Sequence, residues 1–194
     1  MEGVDRVQLG DACAAWQGGR GGGSSPIRAA ARNLTGVQHY FQADFIARYE
    51  EEARADSATT RRAATLLEAL EGSRLLDAAG WGNAVSVNSN WVGRGIVSGP
   101  QDAQILAALQ TGWITMPLWG ASLDRTVAEG FGSRFVFELE GPFPAVPAWL
   151  YSGIKPEEQE LVCGGRYVVA SLEEISVGQT LVRLHFDSTT PRLT

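Results

Sequence analysis

The C-terminal half of this chain carries strand patterns in short, separate pieces, and the N-terminal half carries helix patterns. That segregation most constrains what the chain can fold into. Residues 134–140 (Arg-Phe-Val-Phe-Glu-Leu-Glu) alternate as a half-buried strand does. From residue 84 the same character recurs: Val92, Arg94 and Ile96 alternate with Trp91, Gly93 and Gly95. Further strands are expected at 113–118 and near 159–163, 166–170 and 180–186. A helix opened by Pro100, with Ile105, Leu106 and Leu109 inward, should end near Gly112. Leu123, Val127 and Phe131 recur at i, i+4, i+8 and predict a turn or two of helix over 123–131. Gly141 to Pro156, with Pro142, Pro144 and Pro147, reads as a long loop. Helices followed by strands predict an α+β domain, not an alternating doubly wound sheet.

Residues 34–80 read as helical. Leu34, Val37, Phe41, Phe45 and Tyr49 keep the spacing of one helix face, and Ala63, Leu66, Leu67 and Leu70 form a second such run. Ser57 or Thr59 is the expected cap of the second run and Gly72 its stop. His39 and the Glu50-Glu51-Glu52 run read as helix surface. Residues 17–25, Gln-Gly-Gly-Arg-Gly-Gly-Gly-Ser-Ser, lack the preceding strand and following Gly-Lys-Ser/Thr of a phosphate loop. Residues 1–25 are therefore expected to be a flexible glycine-rich leader, with one folded domain over 26–194.

With 44% apolar and 20% charged residues, a water-soluble globular domain is expected. A net charge of −6 and a pI near 5.0 argue against broad electrostatic binding to nucleic acid. Cys13 and Cys163 suit neither a zinc site nor a redox pair, so two unpaired thiols are expected, with a single bridge as the alternative. No histidine lies at ligand spacing from a carboxylate or cysteine, so no metal is implied. No apolar stretch has the length of a signal peptide or of a membrane span. The expected origin is a cytoplasm, with any export by a route that needs no cleaved signal, or by cutting from a larger polypeptide.

Three segments carry chemistry. In Trp91-Val-Gly-Arg-Gly-Ile, glycines flank a mid-strand arginine, whose planar fork matches phosphate oxygens. Alone, Arg94 is better read as a sheet-edge residue reaching solvent. In Gly120-Ala-Ser-Leu-Asp-Arg-Thr-Val-Ala-Glu-Gly-Phe131, Ser122 stands between strand and helix, where a serine commonly caps. In Tyr151-Ser-Gly-Ile-Lys-Pro-Glu-Glu-Gln-Glu-Leu-Val162, Glu158 and Glu160 are spaced i, i+2, so a strand would put both on one face. Paired carboxylates suit a cationic, oxocarbenium-like transition state; a solvated acidic turn is the plainer alternative.

In this order, and with Gly-Arg-Tyr-Val-Val (165–169) following, the segments resemble the arginine–serine–glutamate class of mono-ADP-ribosyltransferases, which includes bacterial toxins and effectors. The resemblance covers about Trp91 to Phe186. It implies a split β-sandwich clasping NAD, with the helices of 34–80 packed before the first strand. It implies that Arg94 and Ser122 bind NAD, that Gly95 leaves room for the nicotinamide, and that Glu160 is catalytic, with Ser122 also in the catalytic set. It implies that Glu158 serves an arginine acceptor. Phe143, Trp149 and Tyr151 of the loop before the motif would touch a target protein, and a toxin would have a neutralising immunity partner. One departure stands out: Gly120-Ala121-Ser122 occupies the place of the family's Ser-Thr-Ser, leaving only the last serine. Thr115 is a possible substitute hydroxyl. An NAD glycohydrolase of the same fold, transfer to nucleic acid, and a binding module with weak or no turnover are the alternatives.

Overall fold

The computed structural model describes residues 4–18, 23–37, 56–72, 84–87, 100–130 and 134–193. In chain order these form α1 (Arg6–Trp16), α2 (Ser24–Thr35), α3 (Ser57–Gly72), β1 (Ala84–Val87), α4 (Pro100–Gln110), β2 (Trp113–Ser122), α5 (Arg125–Gly130), β3 (Phe135–Glu140), β4 (Ala145–Pro147), α6 (Ala148–Ser152), a 3-10 turn (Pro156–Glu158), β5 (Glu160–Ser176) and β6 (Gln179–Ser188). The fold is α+β, as its pattern requires.

The first helix corrects the reading of residues 1–25 as a leader. Leu9, Ala12, Cys13 and Trp16 recur at i, i+3, i+4, i+7 and are all buried. The Asp5 side chain caps the helix by accepting from the Val7 amide at 2.8 Å. Alanine and cysteine dominate the buried face, and their small side chains let α1 lie close against α3 and α6. Between Leu9 and Trp16 that face carries only Ala12 and Cys13, which is why it does not stand out in the sequence.

α2 is rich in alanine, a strong helix former. It ends at Gly36, in the left-handed region at φ 68°, whose amide donates to the Arg32 carbonyl. Leu34 thus closes a helix and does not open one. The rest of the expected 34–49 face, beyond Val37, lies outside the described residues. α3 carries the Ala63, Leu66, Leu67 and Leu70 face as expected, all buried. Its cap is Asp56, which accepts from the amides of Ala58 and Thr59 at 3.0 and 3.2 Å, and not Ser57 or Thr59.

The strands run in the order β2-β1-β3-β6-β5-β4, and β2 also pairs with β5. β5 is a single 17-residue strand where separate strands were expected, because Gly164 and Gly165 continue it without a turn. Its first part pairs antiparallel with β2 and its later part with β6. β6 in turn runs parallel to β3. Long enough to serve both sets, β5 brings them face to face. Trp119 of β2 meets Phe137 of β3 edge-to-face at 5.6 Å, although their strands do not pair. Ile114, Met116, Leu161, Cys163 and Tyr167 fill the same interior with Phe135, Leu139, Val182 and Leu184. Leu118 and Val162 point the other way, into the core shared with α1, α2 and α3. The expected proline-rich loop holds β4 and α6; β4 pairs with β5 from Ala145 opposite Cys163 to Pro147 opposite Leu161.

Cys13 and Cys163 are both buried and free. Burial is the main cause that raises both thiols, Cys13 to about 12, so neither is a thiolate at neutral pH. No described helix is long and apolar enough to cross a membrane.

Candidate active site

The site forms where the last turn of β2 meets the first residue of β5. The register sets Ser122 opposite Glu160 and Gly120 opposite Val162. Glu160 is half-buried, and its Oε1 accepts from the indole Nε1 of Trp16 at 2.8 Å. Trp16 ends α1, so the segment expected to be a mobile leader supplies a direct contact to the central carboxylate. A methyl group on Gly120 would lie 3.0 Å from Glu160 Oε1 and 3.9 Å from both Arg28 Nη2 and the Trp16 ring. These three side chains therefore surround the bare backbone of Gly120. The Arg28 guanidinium carbon also lies 5.3 Å from the centre of the Trp16 ring.

Electrostatics tie the group together. Burial raises the Glu160 pKa above the usual carboxylate range, against the opposing pull of the Trp16 hydrogen bond and the Arg28 charge. Burial lowers Arg28 to about 10, while Glu160 acts to raise it, so the guanidinium stays charged at neutral pH. Arg28 Nε and Gln17 Nε2 are buried donors with no hydrogen-bond partner among the described residues. The Gln17 amide helps to favour the Glu160 charge but makes no well-formed bond to it. Its other end is fixed, since the Ser152 hydroxyl of α6 donates to Gln17 Oε1. The half-buried carboxylate thus sits among three side chains that favour its charge, Trp16, Arg28 and Gln17.

Glu158 and Glu160 do not share a strand face, which corrects the expectation from their spacing. Glu158 ends the 3-10 turn, and Gln159 between them is left-handed at φ 43°. The intervening residue turns the chain, so Glu158 belongs to the turn and Glu160 begins β5. Glu158 pairs with Lys155 Nζ at 3.1 Å near the surface, and its charge still reaches Glu160 enough to raise it. Ser122 is 5% exposed; its hydroxyl donates to the Glu158 carbonyl at 2.7 Å and accepts from the Asp124 amide at 2.9 Å. It holds the backbone of the glutamate turn to the start of α5. Thr115 pairs with Arg166 far along β2, away from Glu160.

Trp149 and Tyr151 lie on α6, half-buried against the two cores, and Phe143 is buried; between them Leu150 is 65% exposed. Arg94 and Gly95 lie outside the described residues. Among the described residues no cluster of three or more histidine, cysteine or acidic side chains could hold a metal. Sequence reasoning missed Trp16, Gln17 and Arg28. The one available signal was Arg28 itself, a single cation set between Ile27 and three buried alanines.

No family model matches the chain, and no curated protein matches its sequence. Solved structures do match. Plx2a, an ADP-ribosyltransferase toxin from Paenibacillus larvae, aligns with a TM-score of 0.55 at 13% identity, over 94% of this chain and 85% of that one. C3stau2 from S. aureus, solved with NAD, aligns at 0.54 and 14% identity, over 93% of this chain and 87% of that one. A mutant of the eukaryotic mono-ADP-ribosyltransferase ART2.2, in complex with NAD, aligns at 0.51 and 12% identity, over 95% of this chain and 68% of that one. With helices packed on a mixed sheet and a carboxylate at the β2–β5 junction, the chain has the fold of the ADP-ribosyltransferases.

Proposed function

We propose that this protein is a mono-ADP-ribosyltransferase that cleaves NAD and passes ADP-ribose to an arginine side chain of a target protein. The observation that carries this reading is Glu160, a half-buried carboxylate oriented by Trp16 and faced by Arg28, in a fold shared with proteins solved with NAD. In the reaction the bond between ribose C1′ and the nicotinamide nitrogen breaks, and its electron pair leaves with nicotinamide. The positive charge that develops on the ribose is stabilised by a fixed carboxylate nearby, the role given to Glu160. A guanidinium nitrogen then bonds to C1′ and gives up a proton, for which Glu158 is the base. Arg94 and Gly95 are assigned to NAD binding on the resemblance of their segment, and Ser122 acts by holding the glutamate turn. Trp149 and Tyr151 frame a target-recognition element on which Leu150 is the exposed contact. A toxin or effector delivered into a target cell, with a neutralising partner where it is made, fits this chemistry.

An NAD glycohydrolase is the second reading. The Lys155–Glu158 ion pair favours it, because that carboxylate is already engaged and an acceptor guanidinium would have to displace lysine. Incubation with labelled NAD and a cell lysate, followed by mass spectrometry of the labelled product, separates the two. Label on protein arginine supports transfer. Nicotinamide release with no labelled macromolecule supports hydrolysis, and label on nucleic acid refutes the protein target. No turnover by wild type would leave a binding module.

A further inference from the structure

We infer that Trp16 is a positioning residue for Glu160, and that the glycine at 120 is what allows it. The contact is direct: indole Nε1 donates to Glu160 Oε1 at 2.8 Å across 144 positions of sequence. The ring is itself held. Trp16 is 2% exposed, Arg28 lies over its face, and its neighbour Gln17 is tied to α6 through Ser152. The carboxylate reaches the indole only past bare backbone, since any side chain at 120 would begin 3.0 Å from Oε1. A Cβ there crowds the oxygen that accepts from Trp16, and the far end of Glu160 is the part free to swing away. Trp16, Gly120 and Glu160 therefore form one device: a rigid donor fixes the direction of a carboxylate that reaches it past bare backbone. Its kinetic consequences rest on the transferase or hydrolase reading; the hydrogen bond does not.

The test joins NMR with kinetics on the full chain. The Trp16 indole ¹H–¹⁵N resonance, assigned by its loss in Trp16→Phe, should titrate with an acid-range midpoint. That titration should vanish in Glu160→Gln, and Gly120→Ala should shift the resonance. In Trp16→Phe, kcat for NAD cleavage should fall about ten- to a hundredfold, the loss expected for one charge-assisted hydrogen bond, with KM changing much less. The acid limb of the pH profile should move to higher pH, because a bond to the charged form is gone. In Gly120→Ala, adding Trp16→Phe should cost little more, since the two changes break the same contact. An indole resonance indifferent to pH and to Glu160→Gln overturns the proposal, as does unchanged or increased kcat in Trp16→Phe; increased kcat would mark the ring as a plug. Should Trp16→Phe not fold, the titration in wild type and Glu160→Gln still decides. Full turnover in Glu160→Gln would sink the functional reading alone, leaving the NMR result standing.

Discussion

Gly165→Ala is expected to destabilise the fold strongly, and its cost can be worked from the geometry. Gly165 has φ 141°, a conformation that L residues rarely adopt, and a Cβ there would lie 2.6 Å from the Ser188 carbonyl oxygen and 2.7 Å from Phe186 Cε2. A carbon and a carbonyl oxygen in contact normally keep about 3.3 Å, so β5 and β6 would have to part by roughly 0.7 Å at that point. Phe186 can retreat only by losing its edge contact with Tyr167, at 5.9 Å between ring centres. Backbone strain of about 1–2 kcal/mol and overpacking of about 1–3 kcal/mol give a loss of roughly 2–5 kcal/mol. For a chain of this length each kcal/mol lowers Tm by about 2–4 °C, so a fall of roughly 4–20 °C is expected by calorimetry. Gly178→Ala is the control. Gly178 also has a positive φ, 78°, but no atom lies within 4 Å of its Cβ position, so only the backbone strain applies and Tm should fall by roughly 2–8 °C. A Gly165→Ala protein melting within about a degree of wild type would refute the close approach of β5 to β6.

Glu160→Gln should abolish NAD cleavage, on the order of a hundredfold or more, and should stabilise the protein at neutral pH. The sign follows from the raised pKa: the folded state holds the proton more tightly than the unfolded state, so stability falls as pH rises from the ordinary carboxylate pKa through the raised one. Melts across that window should flatten in the variant; a steeper loss of stability at neutral pH would contradict it. Glu158→Gln should depress transfer to arginine while NAD hydrolysis persists, as read by product analysis; a parallel loss of both would place Glu158 on NAD itself. Ser122→Ala should cost about 1–3 kcal/mol in denaturant unfolding, because it leaves the Asp124 amide and the Glu158 carbonyl without their shared partner. An unchanged midpoint would show that the glutamate turn is held by other bonds.

The strands and α3 were legible because their large apolar residues repeat at the period of one element. Phe135, Phe137 and Leu139 announce β3, and Leu66, Leu67 and Leu70 announce α3, wherever they sit in space. α1 was not legible, because its face has only small residues, Ala12 and Cys13, between Leu9 and Trp16, and a glycine-rich stretch follows it. Its burial depends on α3 and α6 coming close, which is a property of the assembled fold. The site was legible in part for the same reason. Glu160 could be singled out from its own segment and Ser122 from its place after a strand. Trp16, Gln17 and Arg28 reach Glu160 from more than a hundred positions away, and no local pattern connects them.

The expectation that failed most usefully is the shared face of Glu158 and Glu160. Two carboxylates on one strand face would repel, and each would raise the other's pKa. The left-handed Gln159 puts them in different surroundings, Glu158 in the turn and Glu160 at the start of β5, although the Glu158 charge still acts to raise Glu160. Glu158 stays near water beside Lys155, where a charge costs little to keep. Glu160 lies where burial makes its charge costly, and the Trp16 indole and the Arg28 guanidinium oppose that cost. The proposed reaction asks for this division. The carboxylate facing the developing cation works best where water is scarce and its partners are fixed, since attraction strengthens as screening falls. The carboxylate that takes a proton from an incoming guanidinium must be reachable from outside. On the transferase reading an acceptor arginine would have to displace Lys155 from Glu158, a cost that hydrolysis does not carry.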